Sequence, residues 1–179
     1  LLGVDPVSEL NVSTIHRRLH KGEFLKKDDN DKIIIGAQLS SNLQADIGDK
    51  VVIMSQASDG SVAAAAYEVA GIIETGAEEI DKNLALITLK AAQDLLVLDG
   101  KVSEIVVRSG ALNEVDETTK LLREKISQTK FEVLNWREIS PQVYQWLQFD
   151  AVFTSLILFI VLIVVAPGIL NTILMAVLE

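Results

Sequence analysis

Between Asp150 and Glu179 the sequence carries no Asp, Glu, Lys or Arg. That stretch, Ala151 to Leu178, is 28 residues long. As a helix it would reach about 42 Å at ~1.5 Å per residue, against roughly 30 Å of bilayer hydrocarbon. It therefore predicts one membrane-spanning helix, tilted or with a turn or more protruding. The competing reading is the core helix of a soluble protein, but such helices are usually shorter and keep a polar face. The rest of the chain has an ordinary soluble composition. All Lys and Arg lie at or before Arg137, and all acids but Glu179 at or before Asp150.

Charge narrows the function. The formal net charge is -9, which repels phosphate backbones and argues against nucleic-acid binding. It also gives no basic patch for anionic lipid. With no cysteine in the chain, disulfides, thiolate metal sites and cysteine nucleophiles are excluded. No basic n-region precedes an apolar core, so no signal peptide is read, and Leu1-Leu2-Gly3-Val4 reads as a piece of a longer polypeptide.

Within the span, Pro167 has no N–H to offer Ile163, so a kink is expected near it. Gly168 permits close approach of a second helix. Asn171 is a polar amide that faces either protein or the headgroup level. Pro167, Gly168 and Asn171 are thus the candidate helix-packing and coupling residues. Trp136, Tyr144 and Trp146 precede the span as a candidate interfacial belt, Trp136 being equally suited to a core.

The soluble part alternates short strands and helices. Val12 to His20 reads as a helix, followed by a turn at Lys21-Gly22, and Asp28 to Asp31 as a polar turn. The β-branched run Lys32 to Ile35 reads as a buried strand closed by Gly36. Leu39, Leu43 and Ile47 mark a short amphipathic helix, and Lys50 to Met54 a strand. Asp59-Gly60 is a hairpin signal, and the loop Ser58-Asp59-Gly60 is the candidate partner-contact loop. A strand ending at Ile73 follows, then one over Leu84 to Ile87, and Thr88 can cap a helix running to about Val97. The last unit reads as βαβ: strands at Ser103–Arg108 and Phe131–Leu134 around a helix whose face is Val115, Thr119, Leu122 and Ile126. Ser140-Pro141 starts the helix that runs into the membrane. The class is α+β with a mixed sheet and one spanning helix.

No catalytic pattern stands out. His16 and His20 have the i,i+4 spacing of a zinc pair, but two arginines and a leucine lie between them with no Glu. Asp28, Asp29 and Asp31 lack the Gly and Glu of a calcium loop, so a solvated turn is the better reading. Glu74, Glu78, Glu79 and Asp81 cluster around Gly76, where a loop rim is favoured over paired catalytic acids. Neither a P-loop nor a G-x-S-x-G motif occurs. No cofactor or metal is implied.

Several stretches, taken in order, carry a resemblance. They are Gly3-Val4-Asp5-Pro6 with Glu9, Gly22-Glu23-Phe24-Leu25, Ile33 to Leu39, Ile47 to Val51, Tyr67 to Gly76 with Asp81, Thr88 with Ala92-Gln93, Trp136-Arg137-Glu138, and Asn171 to Met175 before Glu179. This ordered set resembles the extracytoplasmic domain and second transmembrane helix of ABC-transporter permeases of the MacB/LolC/FtsX type. Tyr67 to Asp81 looks most like the lipoprotein-releasing branch, and Asn171 to Glu179 more like the macrolide-exporter branch. The resemblance implies a periplasmic domain over residues 1–139, with a distal part about 20–98 and a membrane-proximal part about 99–139. A connector and spanning helix would follow over 140–179. It implies an inner-membrane location and ATP hydrolysis on a separate ABC ATPase subunit or domain. The further partners implied are a second permease protomer and a periplasmic carrier or outer-membrane protein. The chain would be non-catalytic and transmit motion. Two alternatives stay open: a single-pass, membrane-anchored binding or sensor domain, and a membrane-anchored hydrolase using the Glu74 to Asp81 acids.

Overall fold

A computed structural model describes residues 1–126 and 131–178. It divides into two compact units, Leu1–Arg108 and Ser109–Glu179.

In the first unit the strand the sequence marks most strongly is the central one. Ile33-Ile34-Ile35 fills Lys32–Gly36 (β3), and an unbroken apolar run suits a strand covered on both faces. Ile33 and Ile35 pack with Val69, Ile72, Ile87 and Leu95 on one face, while Ile34 packs with Leu25, Ile73, Leu84 and Leu86 on the other. Around β3 lie Leu2–Val4 (β1), Leu19–Gly22 (β2), Lys50–Gln56 (β4), Val62–Ile73 (β5) and Ala85–Thr88 (β6). The strand order is β1-β6-β3-β5-β2, with β4 pairing β5. β1 with β6 and β3 with β5 are parallel, and the remaining pairs are antiparallel, so the sheet is mixed.

Short helices occupy the connections: Pro6–Val12 (α1), Ala37–Leu43 (α2), Glu78–Asn83 (α3) and Leu89–Leu96 (α4). Thr88 caps α4 as its side chain predicts. Its hydroxyl oxygen accepts from Ala91 N–H at 3.2 Å and its hydroxyl donates to Asn30 Oδ1 at 3.0 Å. The second unit holds Val115–Lys125 (α5), Trp136–Ile139 (α6) and the long Pro141–Leu178 (α7).

The expected α+β class with a mixed sheet and one long apolar C-terminal helix is the class observed. Four local readings need correction. The helix read over Val12–His20 is instead α1, a 3-10 turn over Ile15–Arg18, and strand β2. Asp5 accepts from Val7 N–H and Pro6 stands at the first helical position, so the chain enters its helix earlier. Lys21-Gly22 is the end of β2 rather than a turn, because β5 offers it a ladder from Gly71 to Ile73. The helix read through Ile47 stops at Leu43, where Gln44 turns left-handed (φ 54°). Finally, only the helix of the expected βαβ unit forms. Ser103–Arg108 and Phe131–Leu134 belong to no ladder among the described residues. β-branched residues favour extended backbone, but a strand is completed only by a neighbour to bond with.

Candidate functional site

Three places were marked by the sequence, and the structure treats them differently. The first is α7. It runs for 38 residues, about 57 Å at ~1.5 Å per residue, and continues through Pro167. Its 18-residue apolar window is not buried within this chain. A core helix would be covered by its own protein, so length, absence of charge and exposure together support a membrane span. Asn171 lies four residues after Pro167 and three after Gly168, which places the three on one helical face. A side chain added at Gly168 would meet nothing within 4 Å among the described residues.

The foot of α7 is tied down inside the second unit. The Arg137 guanidinium lies 5.5 Å from the Trp136 ring centroid and 5.3 Å from that of Tyr144, and the two rings meet edge to face at 5.9 Å. Arg137 Nη1 also pairs with Asp116 of α5 at 2.9 Å. Arg123 of α5 pairs with Glu138 at 2.7 Å and donates to the Val133 carbonyl at 2.8 and 3.0 Å. The Arg123 hydrogen bond lowers the Glu138 pKa below the ordinary carboxylate value. Asn135 and Glu138 complete a capping box on α6. Trp136 and Tyr144 thus build this joint, while Trp146 stays outward at 76 % exposure and suits an interfacial belt. The Asn135-x-x-Glu138 spacing was the signal in the sequence that could have flagged the start of α6, though not its partners on α5 and α7.

The second place is the hairpin tip. Ser58 N–H donates to the Leu96 carbonyl at 2.9 Å and its hydroxyl to the Val97 carbonyl at 2.6 Å, so the loop is bound to the C-terminal end of α4. Asp59 Oδ1 accepts from Ser61 N–H at 2.9 Å and from the Ser61 hydroxyl at 2.6 Å, which lowers the Asp59 pKa. Gly60 supplies the left-handed residue (φ 87°) and donates to the Ala57 carbonyl. The outward face beside the tip is apolar. Val52 pairs with Ala66 and Met54 with Ala64, and Met54 and Val62 are 73 % and 78 % exposed.

The third place is the acidic cluster, and here a structural role appears. Asp81 is buried, and its carboxylate accepts from Thr75 N–H at 2.9 Å, the Thr75 hydroxyl at 2.7 Å and Gly76 N–H at 3.3 Å. The Thr75 backbone bond is the main cause of its lowered pKa, working against desolvation. Because the folded pKa is depressed, the stabilisation is present above the unfolded value near 3.8 and is lost as pH falls through the folded value. Asp81→Ala should therefore cost about 2–3 kcal/mol in urea unfolding at pH 7. Asp81→Asn should reduce proton uptake on unfolding in acid by up to about one proton; an unchanged pH profile would reject this role. The two histidines have different neighbours. His16 stacks edge-on to Phe24, and His20 Nδ1 lies 3.3 Å from Glu74 in an exposed pair. Because His20 sits on β2 and not on a helix with His16, the helical i,i+4 zinc geometry does not arise. Among the described residues no three potential metal ligands converge.

An α+β unit and, later in the chain, one exposed apolar helix long enough to cross a membrane define the class: a mixed-sheet domain protein with a candidate membrane span. No family model matches the sequence. Curated relatives give the finer placement. The chain is 24 % identical over 186 residues to the lipoprotein-releasing system transmembrane protein LolC of Neisseria meningitidis serogroup B, covering 99 % of this chain and 44 % of that protein. It is 30 % identical over 104 residues to LolC of Xylella fastidiosa strain Temecula1, covering 55 % of this chain and 25 % of that one. To LolC of Xylella fastidiosa strain 9a5c it is 24 % identical over 168 residues, at 89 % and 40 % coverage. The chain spans less than half the length of these relatives. The chain is thus distantly similar, over most of its length, to lipoprotein-releasing transmembrane proteins of the LolC kind.

Proposed function

We propose that the chain is part of the permease subunit of an ABC transporter acting in lipoprotein release. It carries motion from cytoplasmic ATPase subunits to a periplasmic head. The observation that supports this best is the alignment of 99 % of the chain, head and apolar helix together, with a lipoprotein-releasing transmembrane protein. In this reading α7 crosses the inner membrane and the first unit faces the periplasm. ATP is hydrolysed on a separate subunit. A second permease protomer completes the assembly, and a periplasmic carrier or outer-membrane partner receives the cargo. The Ser58-Asp59-Gly60 loop and the apolar face of Val52, Met54 and Val62 meet that partner. The loop is fixed to α4 by two hydrogen bonds from Ser58, so little order has to be gained on contact. Pro167, Gly168 and Asn171 form the helix face that packs on other spans.

The test is a comparison of Gly168→Leu and Asn171→Leu with Val164→Leu in the intact permease. The first two should weaken co-purification of the ATPase subunit or the second protomer severalfold to about tenfold, while Val164→Leu changes little. If all three behave alike, α7 is a plain anchor and the single-pass sensor reading takes over.

A further inference from the structure

Between α6 and α7 the chain bends at one residue. Ser140 has φ -128° and ψ 67°, outside helix geometry, while Trp136–Ile139 and Pro141–Leu178 on either side are helical. Pro141 is the cause, because its ring disfavours the α conformation in the residue before it. Left alone, the two soft torsions of Ser140 would let α7 swing against α6. Side chains close over the bend. The Arg137 guanidinium reaches the Trp136 ring at 5.5 Å on one side of Ser140 and the Tyr144 ring at 5.3 Å on the other. The rings meet edge to face at 5.9 Å. Eight residues along a straight helix advance about 12 Å, so this ring contact belongs to the bent form and is lost when the bend opens. Gln148 Nε2 donates to the Tyr144 hydroxyl at 2.8 Å and fixes that ring one turn further along α7. Arg137 Nη1 also meets both carboxylate oxygens of Asp116, at 3.2 and 2.9 Å, and Asp116 stands in the first turn of α5. One side chain on α6 thus touches both α5 and α7.

We infer that Arg137 locks the α6–α7 bend at one angle, so that a tilt or rotation of α7 is carried to α5 instead of being absorbed at Ser140. Arg137 is a positioning residue that acts through Tyr144. The inference rests on the permease reading for the source of the motion; the stiffness of the bend does not depend on it. The ion pair is not enough for the task, since its partners are partly exposed and such pairs are weak and screened by salt. The stacked guanidinium supplies the direction. Lying against two rings needs a planar, delocalised cation, which lysine lacks. Arg137→Lys therefore separates charge from plane, and Tyr144→Phe separates the ring from its hydroxyl.

With no cysteine in the chain, Lys120→Cys on α5 and Phe149→Cys on α7 take a pair of nitroxide labels in the full 179-residue chain in lipid nanodiscs. Phe149 lies nine residues past Ser140, about 13 Å along α7, so it magnifies any play at the bend. Double electron–electron resonance reads the distance distribution. Arg137 with Tyr144, and Arg137 with Tyr144→Phe, should each give one narrow distance. Arg137→Lys and Tyr144→Leu should widen it roughly twofold, with helix content by circular dichroism unchanged. A width unmoved by Arg137→Lys overturns the lock, as does widening by Tyr144→Phe equal to that by Tyr144→Leu. Widening that comes with a loss of helix content overturns it too, because the contact would then hold the helix rather than the angle. The use of the lock is read in the intact permease with its ATPase subunit, any cysteines outside this chain replaced, carrying a bimane fluorophore at Phe149→Cys or at Lys120→Cys. On addition of ATP and vanadate both sites should respond. Arg137→Lys should keep the response at Phe149→Cys and lose most of it at Lys120→Cys. A response at Lys120→Cys that survives Arg137→Lys overturns transmission through Arg137. Silence at both sites with Arg137 in place overturns the permease reading and leaves the rigid bend standing on the nanodisc result.

Discussion

Val161→Arg, Val164→Arg and Val165→Arg combined should bring membrane insertion of α7 close to balance, where any one of them alone leaves it intact. The expectation follows from magnitudes. Ala151 to Leu178 contains 18 Leu, Ile, Val and Phe residues, each favouring insertion by about 0.3–0.6 kcal/mol, so roughly 5–11 kcal/mol together. One arginine at the centre costs about 2.5–3.5 kcal/mol, which that sum absorbs. Three cost about 8–10 kcal/mol and cancel it. Alkaline extraction of membranes reads the result: single variants stay in the pellet and the triple variant moves substantially to the supernatant or is degraded. The melting of the first unit should not change, because the apolar window of α7 is exposed rather than part of a core. A single arginine that unfolded the head would mean that α7 is packed inside a protein core, and the membrane assignment would fall with it.

What the sequence made legible were features whose cause is local or strongly patterned. Ile33-Ile34-Ile35 announces an interior strand, Thr88 announces a cap, and the uncharged run announces α7. Asp59-Gly60 announced the β4–β5 hairpin, although the turn uses three residues, with only Gly60 left-handed. What stayed hidden depended on distant partners. β2 is Leu-His-Lys-Gly, a poor strand by composition, and exists because β5 runs beside it. Ser103–Arg108 is the reverse case, a good strand by composition with no neighbour in a ladder. Asp81 read as one acid in a solvated rim, and its burial by Thr75 and Gly76 needs the loop's path to be known. The joint of Arg123, Arg137, Trp136 and Tyr144 draws residues from three helices, so no single window of sequence contained it.

Gly36→Ala should be a severely damaging single-methyl change in the first unit, costing about 3 kcal/mol or more and lowering its melting temperature by about 15 °C. Conformation is not the reason, since Gly36 has φ -71°, ψ 151°, which alanine adopts freely. The reason is approach. A Cβ on Gly36 would stand 2.1 Å from the Asp81 carbonyl oxygen, 2.7 Å from its carbon and 2.8 Å from its Cα. All three are backbone atoms, with no rotamer to yield. Nor can the backbone of α3 easily retreat. The Asp81 side chain is held by Thr75 and Gly76, and Gly36 N–H donates to the Leu84 carbonyl at 3.0 Å. Just beyond, β6 is locked to β3 through Ile34 with Leu86 and Ile35 with Ala85. Moving α3 outward would thus open β3, on which both core clusters converge. Gly76→Ala is the matched control. Gly76 has φ 82° but open space around it, so alanine there costs only the left-handed penalty of about 1 kcal/mol. Denaturant midpoints of the two variants decide the matter. If Gly36→Ala proves no more costly than Gly76→Ala, strand β3 and helix α3 do not touch as described, and the packing that positions the head's central strand is wrong.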